Sequence, residues 1–200
     1  MTITAIRQQE RLKSRYSVYV DEKYAFSLSA DALLAEGLHA GIELDEAQLK
    51  HYKALSQEDK AYGLLLAYVA RRMRSRWELA DYCRRKGYAP ELTEQMLAKL
   101  TRLGLVDDKV FAEAWVRNRR LLKSVSKRRL VQELRQKHVE DAIIDMVLTE
   151  DETDEVAVLQ ELIVRKRRQS RYQDEQKLMR YLVGQGFSYD DVKAVLRQDM

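Results

Sequence analysis

The feature that most constrains this chain is a self-similarity with a spacing of about 50 residues, visible from about Ser56 onward. Three segments carry it. They are Trp77-Glu-Leu-Ala-Asp-Tyr-Cys-Arg-Arg-Lys-Gly87-Tyr88, the run Leu130-Val-Gln-Glu-Leu134 ending Lys137-His138-Val139, and Leu178-Met-Arg-Tyr-Leu182 ending Gly186-Phe187. Leu79, Leu130 and Leu178 fall at matching positions, and four residues before them stand Ser75, Ser126 and Asp174. Each of those three is a good N-cap, because its side-chain oxygen can accept an unpaired N–H of the first helical turn. Ser75 also has Glu78 three residues on, in capping-box register. Eight residues after each leucine comes Gly87, His138 or Gly186, followed by an apolar Tyr88, Val139 or Phe187. A helix end favours a residue tolerant of positive φ at that point. His138 is the imperfect member, so its turn is expected to be strained or shaped differently.

A helix precedes each of these segments. Its apolar stripe reads Ala61, Leu64, Leu65 and Tyr68 in the first case, Phe111, Ala114, Trp115 and Leu122 in the second, and Val156, Leu159 and Ile163 in the third. Another helix follows each segment, with apolar pairs Met96/Leu97, Val147/Leu148 and Val195/Leu196 at equal distances past the turn. The unit is therefore a three-helix module. One proline and seven glycines are too few for a many-turned β-sandwich or barrel, which agrees with a mainly α chain. Modules this small are marginal alone, so neighbours are expected to pack in series as an elongated, curved array of three tandem three-helix-bundle repeats.

Ahead of the repeats, Tyr16, Val18 and Val20 alternate with Ser17 and Tyr19. After Asp21-Glu22-Lys23 a second alternation follows in Tyr24, Phe26 and Leu28. This pattern predicts a β-hairpin. Ser29 can cap a short helix through Ala35 that Gly37 stops, and Asp45 can cap another running toward Leu55. The expected organisation is a small α+β module with a β-hairpin over 1–55, then repeats over 56–106, 107–152 and 153–200.

The formal net charge is only +4, so the distribution of charge matters more than its sum. The first repeat carries Arg71, Arg72, Arg74, Arg76, Arg84, Arg85 and Lys86, opposed there only by Glu78 and Asp81. The second carries Arg117, Arg119, Arg120, Lys123, Lys127, Arg128, Arg129, Arg135 and Lys137, opposed only by Glu133, and the third Arg165, Lys166, Arg167, Arg168 and Arg171. Each cluster lies around the junction of the first and second helices of its repeat. Aligned repeats would make them one basic stripe suited to phosphates, where contacts release counterions. The alternative is a solvated face whose cations complement helix C-termini. The stretch from Glu140 through Glu161 is the reverse, acidic with no basic residue, and reads as a flexible, solvated connection.

Catalytic apparatus is missing from the sequence. There is no Gly-rich phosphate loop, no metal-ligand spacing among Cys83, His39, His51 and His138, and no nucleophile motif. No cofactor and no metal is expected. The acidic pairs Asp107-Asp108 and Asp190-Asp191 stand where helices begin, where carboxylates suit the dipole. Cys83 reads as a small buried hydrophobe in a reducing compartment. Trp115 reads as core, and Trp77 is balanced between packing and base stacking. No apolar run is long enough to span a bilayer and no signal-peptide centre is visible, so a cytoplasmic protein without membrane contact is expected.

Several stretches together resemble the RecX family. They are Ala67-Tyr-Val-Ala-Arg-Arg-Met-Arg-Ser75-Arg-Trp-Glu-Leu79, Lys86-Gly87, Leu103-Gly-Leu-Val-Asp-Asp-Lys-Val-Phe111-Ala112, and Leu178 to Gly186-Phe187. The resemblance runs from about residue 60 to the C-terminus, and Arg15-Tyr16 with Tyr24-Ala25-Phe26 resembles an N-terminal extension of some members. It implies three tandem three-helix repeats, placement in the groove of the RecA recombinase filament, and inhibition or modulation of its ATPase and strand exchange. Some direct DNA binding is implied too; a non-enzymatic monomer that binds single- and double-stranded DNA with weak sequence preference is expected. Cys83 stands where the family usually has an aliphatic residue, and His138 where it often has Gly. Two other readings remain at this point, a helix-turn-helix transcription regulator and a helical adaptor that binds protein only.

Overall fold

The computed structural model describes residues 1–198. Two compact units are distinguished, one of Met1–Arg72 with Cys83–Lys99, the other of Met73–Tyr82 with the chain from Leu100 onward.

In the first unit, β1 (Ile3–Gln8), β2 (Arg15–Val20) and β3 (Lys23–Ser29) form an antiparallel sheet in that order. The hairpin is where the alternation put it, and β1 is an addition to it. Asp21 and Glu22 make the two-residue turn with φ of 47° and 67°, the left-handed geometry that matches strand twist. Neither is glycine, and Thr2 and Thr4 brace them: the Thr2 N–H donates to Asp21 Oδ1 at 2.8 Å and the Glu22 N–H to Thr4 Oγ1 at 3.0 Å. The inward residues Ile3, Val18, Phe26 and Leu28 gather with Leu33, Leu38 and Leu44 into one apolar cluster.

Ser29 caps α1 (Ala30–Ala35), and Asp45 with Gln48 completes a capping box on α2 (Glu46–Val69). The helix expected to end near Leu55 and the one carrying Ala61 and Leu65 are a single continuous helix, so the expected division at 55/56 falls inside α2. No glycine or proline occurs between Asp45 and Gly63 to stop it. Ser56, which could pass for a boundary, turns inward and donates to the Ser27 carbonyl at 2.6 Å. Beside it the buried Arg15 donates to Asp59 at 2.6 Å and to the Ser27 carbonyl at 2.7 Å. Asp59 also accepts from the backbone and hydroxyl of Ser29. A buried charge is tolerable only with such partners, and these tie the sheet to α2.

The repeats supply α3 (Arg76–Arg85), α4 (Pro90–Arg102), α5 (Asp108–Leu122), α6 (Lys127–Arg135), α7 (Asp141–Thr149), α8 (Glu155–Arg167), α9 (Glu175–Gly184) and α10 (Tyr189–Gln198). Gly87, His138 and Gly186 all have positive φ, at 76°, 54° and 93°. The residue after each closes the helix behind it: Tyr88 N–H donates to Cys83, Val139 to Leu134 and Phe187 to Leu182. His138 therefore adopts the geometry of its glycine counterparts. Cys83 is buried, and burial raises its thiol pKa, partly offset by a hydrogen bond with Thr93. The second repeat closes around Phe111, Leu130, Leu134 and Ile144, the third around Leu159, Ile163, Leu178 and Phe187. All three expected apolar pairs are buried. Three stripe positions are not core: Leu64 is 44%, Val156 46% and Leu122 75% exposed. Leu64 and Val156 flank their stripes, and Leu122 lies at the last residue of α5, beyond the bundle.

Inside the second unit, consecutive bundles are joined twice in the same way. The cap hydroxyl of Ser75 donates to the Lys137 carbonyl at 2.8 Å, and that of Ser126 to the Gln185 carbonyl at 3.0 Å. The next N–H does likewise: Arg76 donates to Asp108 at 2.7 Å and Lys127 to Glu155 at 2.9 Å. Each clasp thus sets the N-terminus of one bundle's second helix against the first helix and the left-handed turn of the bundle after it.

Candidate nucleic-acid interface

The 21 cations singled out in the sequence divide into those held by the fold and those left outward. In the first repeat, Arg71, Arg72, Arg84, Arg85 and Lys86 are exposed, Arg76 is half-buried, and Arg74 is buried next to Ser75. Arg74 is thereby withdrawn from the surface.

In the second repeat the acidic residues recruit several of the bases. Arg120 donates to Asp151 through Nε and its terminal nitrogen, at 3.1 and 2.7 Å, and to the Val125 carbonyl at 2.6 Å. Both side chains of that pair are about one-tenth exposed. Arg119 and Arg129 converge on Glu133, which also accepts from the Trp115 indole at 3.0 Å. Burial pushes the Glu133 carboxyl up, but hydrogen bonds from Arg119 and Trp115 overcome it and hold the group below the usual carboxylate range. Lys127 reaches the Asp151 carbonyl at 3.2 Å, Arg135 pairs with Asp141, and Lys137 pairs with Glu78 at 2.9 Å. Arg117, Lys123 and Arg128 are exposed, with no side-chain ion pair among the described residues.

In the third repeat Arg165 and Arg168 are exposed in the same unpaired way. Lys166 lies over the rings of Tyr172 and Tyr181, and Arg171 over Tyr172. Arg167 is half-buried.

One register was not singled out in the sequence. Three residues ahead of each cap stand Arg72, Lys123 and Arg171, and all three are exposed. Counting back from the caps would have found it, because the caps themselves were legible.

The stretch from Glu140 to Glu161 is not the solvated connection expected. Residues 141–149 are α7, Asp151 is buried against Arg120, and Glu155 holds the second clasp. Its acidity matches the bases already in the second bundle. Asp107 caps α5 as expected, while Asp108 serves the first clasp. Trp77, balanced between two readings, stacks on His138 with ring centroids 4.0 Å apart and planes 19° apart. Trp115 packs against the second core. No group of His, Cys, Asp and Glu able to hold a metal ion occurs among the described residues, and no described helix is long and apolar enough to cross a membrane.

Comparison with known proteins follows the same division. Four protein-family models match in order: "Regulatory protein RecX N-terminal domain" over residues 1–45, and the first, second and third three-helix domains of RecX over 61–100, 107–148 and 152–196. Regulatory protein RecX of Halalkalibacterium halodurans is 32% identical across 93% of this chain and 73% of its own length. That of Bacillus licheniformis is 30% identical across 98% and 76%. A crystal structure of regulatory protein RecX, 30% identical, superimposes over 98% of both chains with a TM-score of 0.76. RecX from Lactobacillus salivarius, 24% identical, shares the fold with a TM-score of 0.60 over 70% of this chain. With every module matched in order and relatives about 30% identical across nearly the whole of this chain, this chain belongs to the RecX family of regulatory proteins.

Proposed function

We propose that this chain binds the RecA–DNA filament and inhibits or modulates its ATPase and strand-exchange activity in DNA repair and recombination. It acts as a cytoplasmic monomer that performs no chemistry of its own. The observation that carries this reading is the exposed cation three residues ahead of every cap, Arg72, Lys123 and Arg171, accompanied by exposed Arg71, Arg117, Arg128, Arg165 and Arg168. Phosphates of single- or double-stranded DNA suit such a set with weak sequence preference and steep salt dependence. The remaining candidates, Arg74, Arg76, Arg84, Arg85, Lys86, Arg119, Arg120, Lys127, Arg129, Arg135, Lys137, Lys166 and Arg167, are proposed to support or extend this surface.

The third helices argue against a helix-turn-helix transcription regulator. In that motif the helix after the turn enters the major groove by its N-terminal residues. Here those helices open with Glu91, Asp141 and the pair Asp190-Asp191, carboxylates that phosphates repel.

The test is to add purified protein, at less than one per RecA subunit, to RecA on single-stranded DNA and follow ATP turnover and filament length. Both are expected to fall. No effect at any salt concentration removes the reading. The triple variant Arg72→Ala, Lys123→Ala, Arg171→Ala is expected to flatten the salt dependence of DNA binding, by about one unit of slope for each phosphate no longer neutralised.

A further inference from the structure

The third repeat departs from the other two in the link between its first and second helices. A short 3-10 helix, Ser170–Tyr172, stands there and in no other described link. It places Tyr172 between the exposed Arg171 and the cap Asp174, where the earlier repeats have Met73 and Ser124 after their exposed cations.

Tyr172 has a second ring beside it. Tyr181 of α9 lies with its ring centroid 5.0 Å away and its plane tilted by 51°. Both tyrosines are half-buried and pack against the third core, and neither hydroxyl makes a hydrogen bond among the described residues. No buried side-chain polar atom among those residues lacks a partner, so both hydroxyls reach solvent. Rings rooted in a core in this way offer flat area whose ordering costs little on binding.

The charge around the pair has one sign. Residues 165–181 hold seven arginines and lysines against two carboxylates, Asp174 and Glu175, and Asp174 is engaged in capping α9. The Lys166 ammonium lies 4.6 Å from the Tyr181 centroid and 5.3 Å from that of Tyr172, and the Arg171 guanidinium lies 5.7 Å from Tyr172. Lys166 has no ion pair among the described residues. A ligand matched to this patch carries negative charge and a flat ring close together. An acidic peptide supplies the charge and leaves the tyrosines unused. A duplex supplies phosphates, but its base faces are stacked inside it. An unpaired nucleotide supplies both, and a base stacks on an aromatic side chain with little regard to sequence.

We propose that Tyr172, with Tyr181 behind it, is a base-stacking site for single-stranded DNA, and that Lys166, Arg168 and Arg171 take the flanking phosphates. The inference rests on the DNA-binding part of the function proposed above and deepens it. The three repeats share a phosphate register, and the third adds discrimination of single strands from duplex.

The experiment compares wild type, Tyr172→Leu and Tyr172→Phe on a single-stranded oligothymidylate and on a duplex of equal length, by fluorescence anisotropy across a range of salt. Tyr172→Leu is expected to lose about tenfold on the single strand and to stay within about twofold on the duplex, with an unchanged salt slope, because a base contact releases no counterions. Tyr172→Phe keeps the ring and should stay within about twofold on both. Circular dichroism melts check the fold of the variants. A second reading needs no variant: wild type is photo-crosslinked to the same single strand carrying iodouracil, and peptide mass spectrometry is expected to find the attachment at Tyr172 or Tyr181. Attachment confined to other residues overturns the site and leaves the proposed function in place. Unchanged single-strand binding by Tyr172→Leu overturns it in favour of an acidic protein contact. Equal losses on single strand and duplex overturn it in favour of a ring that only shapes the phosphate surface. Wild type that binds neither DNA removes the stacking site together with the DNA-binding part of the proposed function.

Discussion

The two clasps of the second unit make the same pair of hydrogen bonds from different materials. In the first, a residue with a full side chain, His138, adopts φ 54°, and the Trp77 ring lies flat on its imidazole while Lys137 pairs with Glu78. In the second the corresponding residue is Gly186, and Ser126 closes on it so tightly that a Cβ there would overlap the serine hydroxyl and stand 3.2 Å from the Arg129 backbone nitrogen. Arg129 fills the remaining space and donates to the Gly184 carbonyl at 3.2 Å. The backbone bonds are the constant part. What covers the turn, an aromatic lid in one case and close backbone approach in the other, is free to vary as long as the left-handed residue is accommodated.

Substitutions at the turn should separate the two most clearly. Gly186→Ala is expected to destabilise by about 2–3 kcal/mol, from the overlap with Ser126 together with a φ of 93°, read as a lowered denaturant midpoint. His138→Gly should stay within about 1 kcal/mol of wild type, since relief of the left-handed strain offsets the missing stack. Equal losses at both turns would mean that the difference in lining has no energetic content.

The caps should behave alike. Ser75→Ala and Ser126→Ala each remove a cap bond and leave a carbonyl without its donor, at about 1–2 kcal/mol apiece by urea unfolding. A large inequality between them would break the equivalence of the clasps. Trp77→Ala, two residues past the first cap, is expected to cost about 1 kcal/mol of stacking. Arg128→Ala, at the same register past the second, should change stability by less than about 0.5 kcal/mol.

The smallest effect is on pH dependence, where Asp108 of the first clasp and Asp151, the partner of Arg120, should respond in opposite senses. Burial raises the Asp108 carboxyl, only partly countered by the Arg76 N–H. The unfolded chain then loses that proton first as pH climbs, so the associated stability is present below the ordinary aspartate range and is lost as pH rises through the folded value. Asp151, the partner of Arg120, is held below its ordinary value: burial pushes it up, and hydrogen bonds from Thr153 and Arg120 more than reverse that. Its contribution is present above the ordinary aspartate range and is lost as pH falls through the folded value. Asp108→Asn retains an acceptor for Arg76 and should flatten the decline on the alkaline side, read from melting temperatures across mildly acidic pH. An unchanged profile would show that Asp108 is solvated in solution.

Much of this architecture could be read from spacing alone, because caps, left-handed turns and apolar pairs are local signals that recur. The features that escaped depend on partners distant in sequence. Ile3–Gln8 is a short strand at the edge of the sheet, with little alternation to announce it. Ser56 has the look of a boundary until Ser27 is placed beside it. Leu122 continues a helical stripe that the bundle does not reach, so periodicity assigned it to the core and geometry leaves it outside. At the interface, the sequence located the cationic clusters. It could not say that Arg120 and Arg74 are turned inward while Lys123 and Arg171 are not, since that depends on where Asp151 and the neighbouring helix lie.

The serine hydroxyl in each clasp gives the series a direction. A hydroxyl can receive a bond from its own helix and offer its proton to the neighbour at once, whereas the third bundle has Asp174 in that place, an ionised carboxylate with no proton to offer. Shuffling the modules so that the third preceded another would set two oxygen atoms facing each other across the seam, so their order is written in the chemistry of a single side chain.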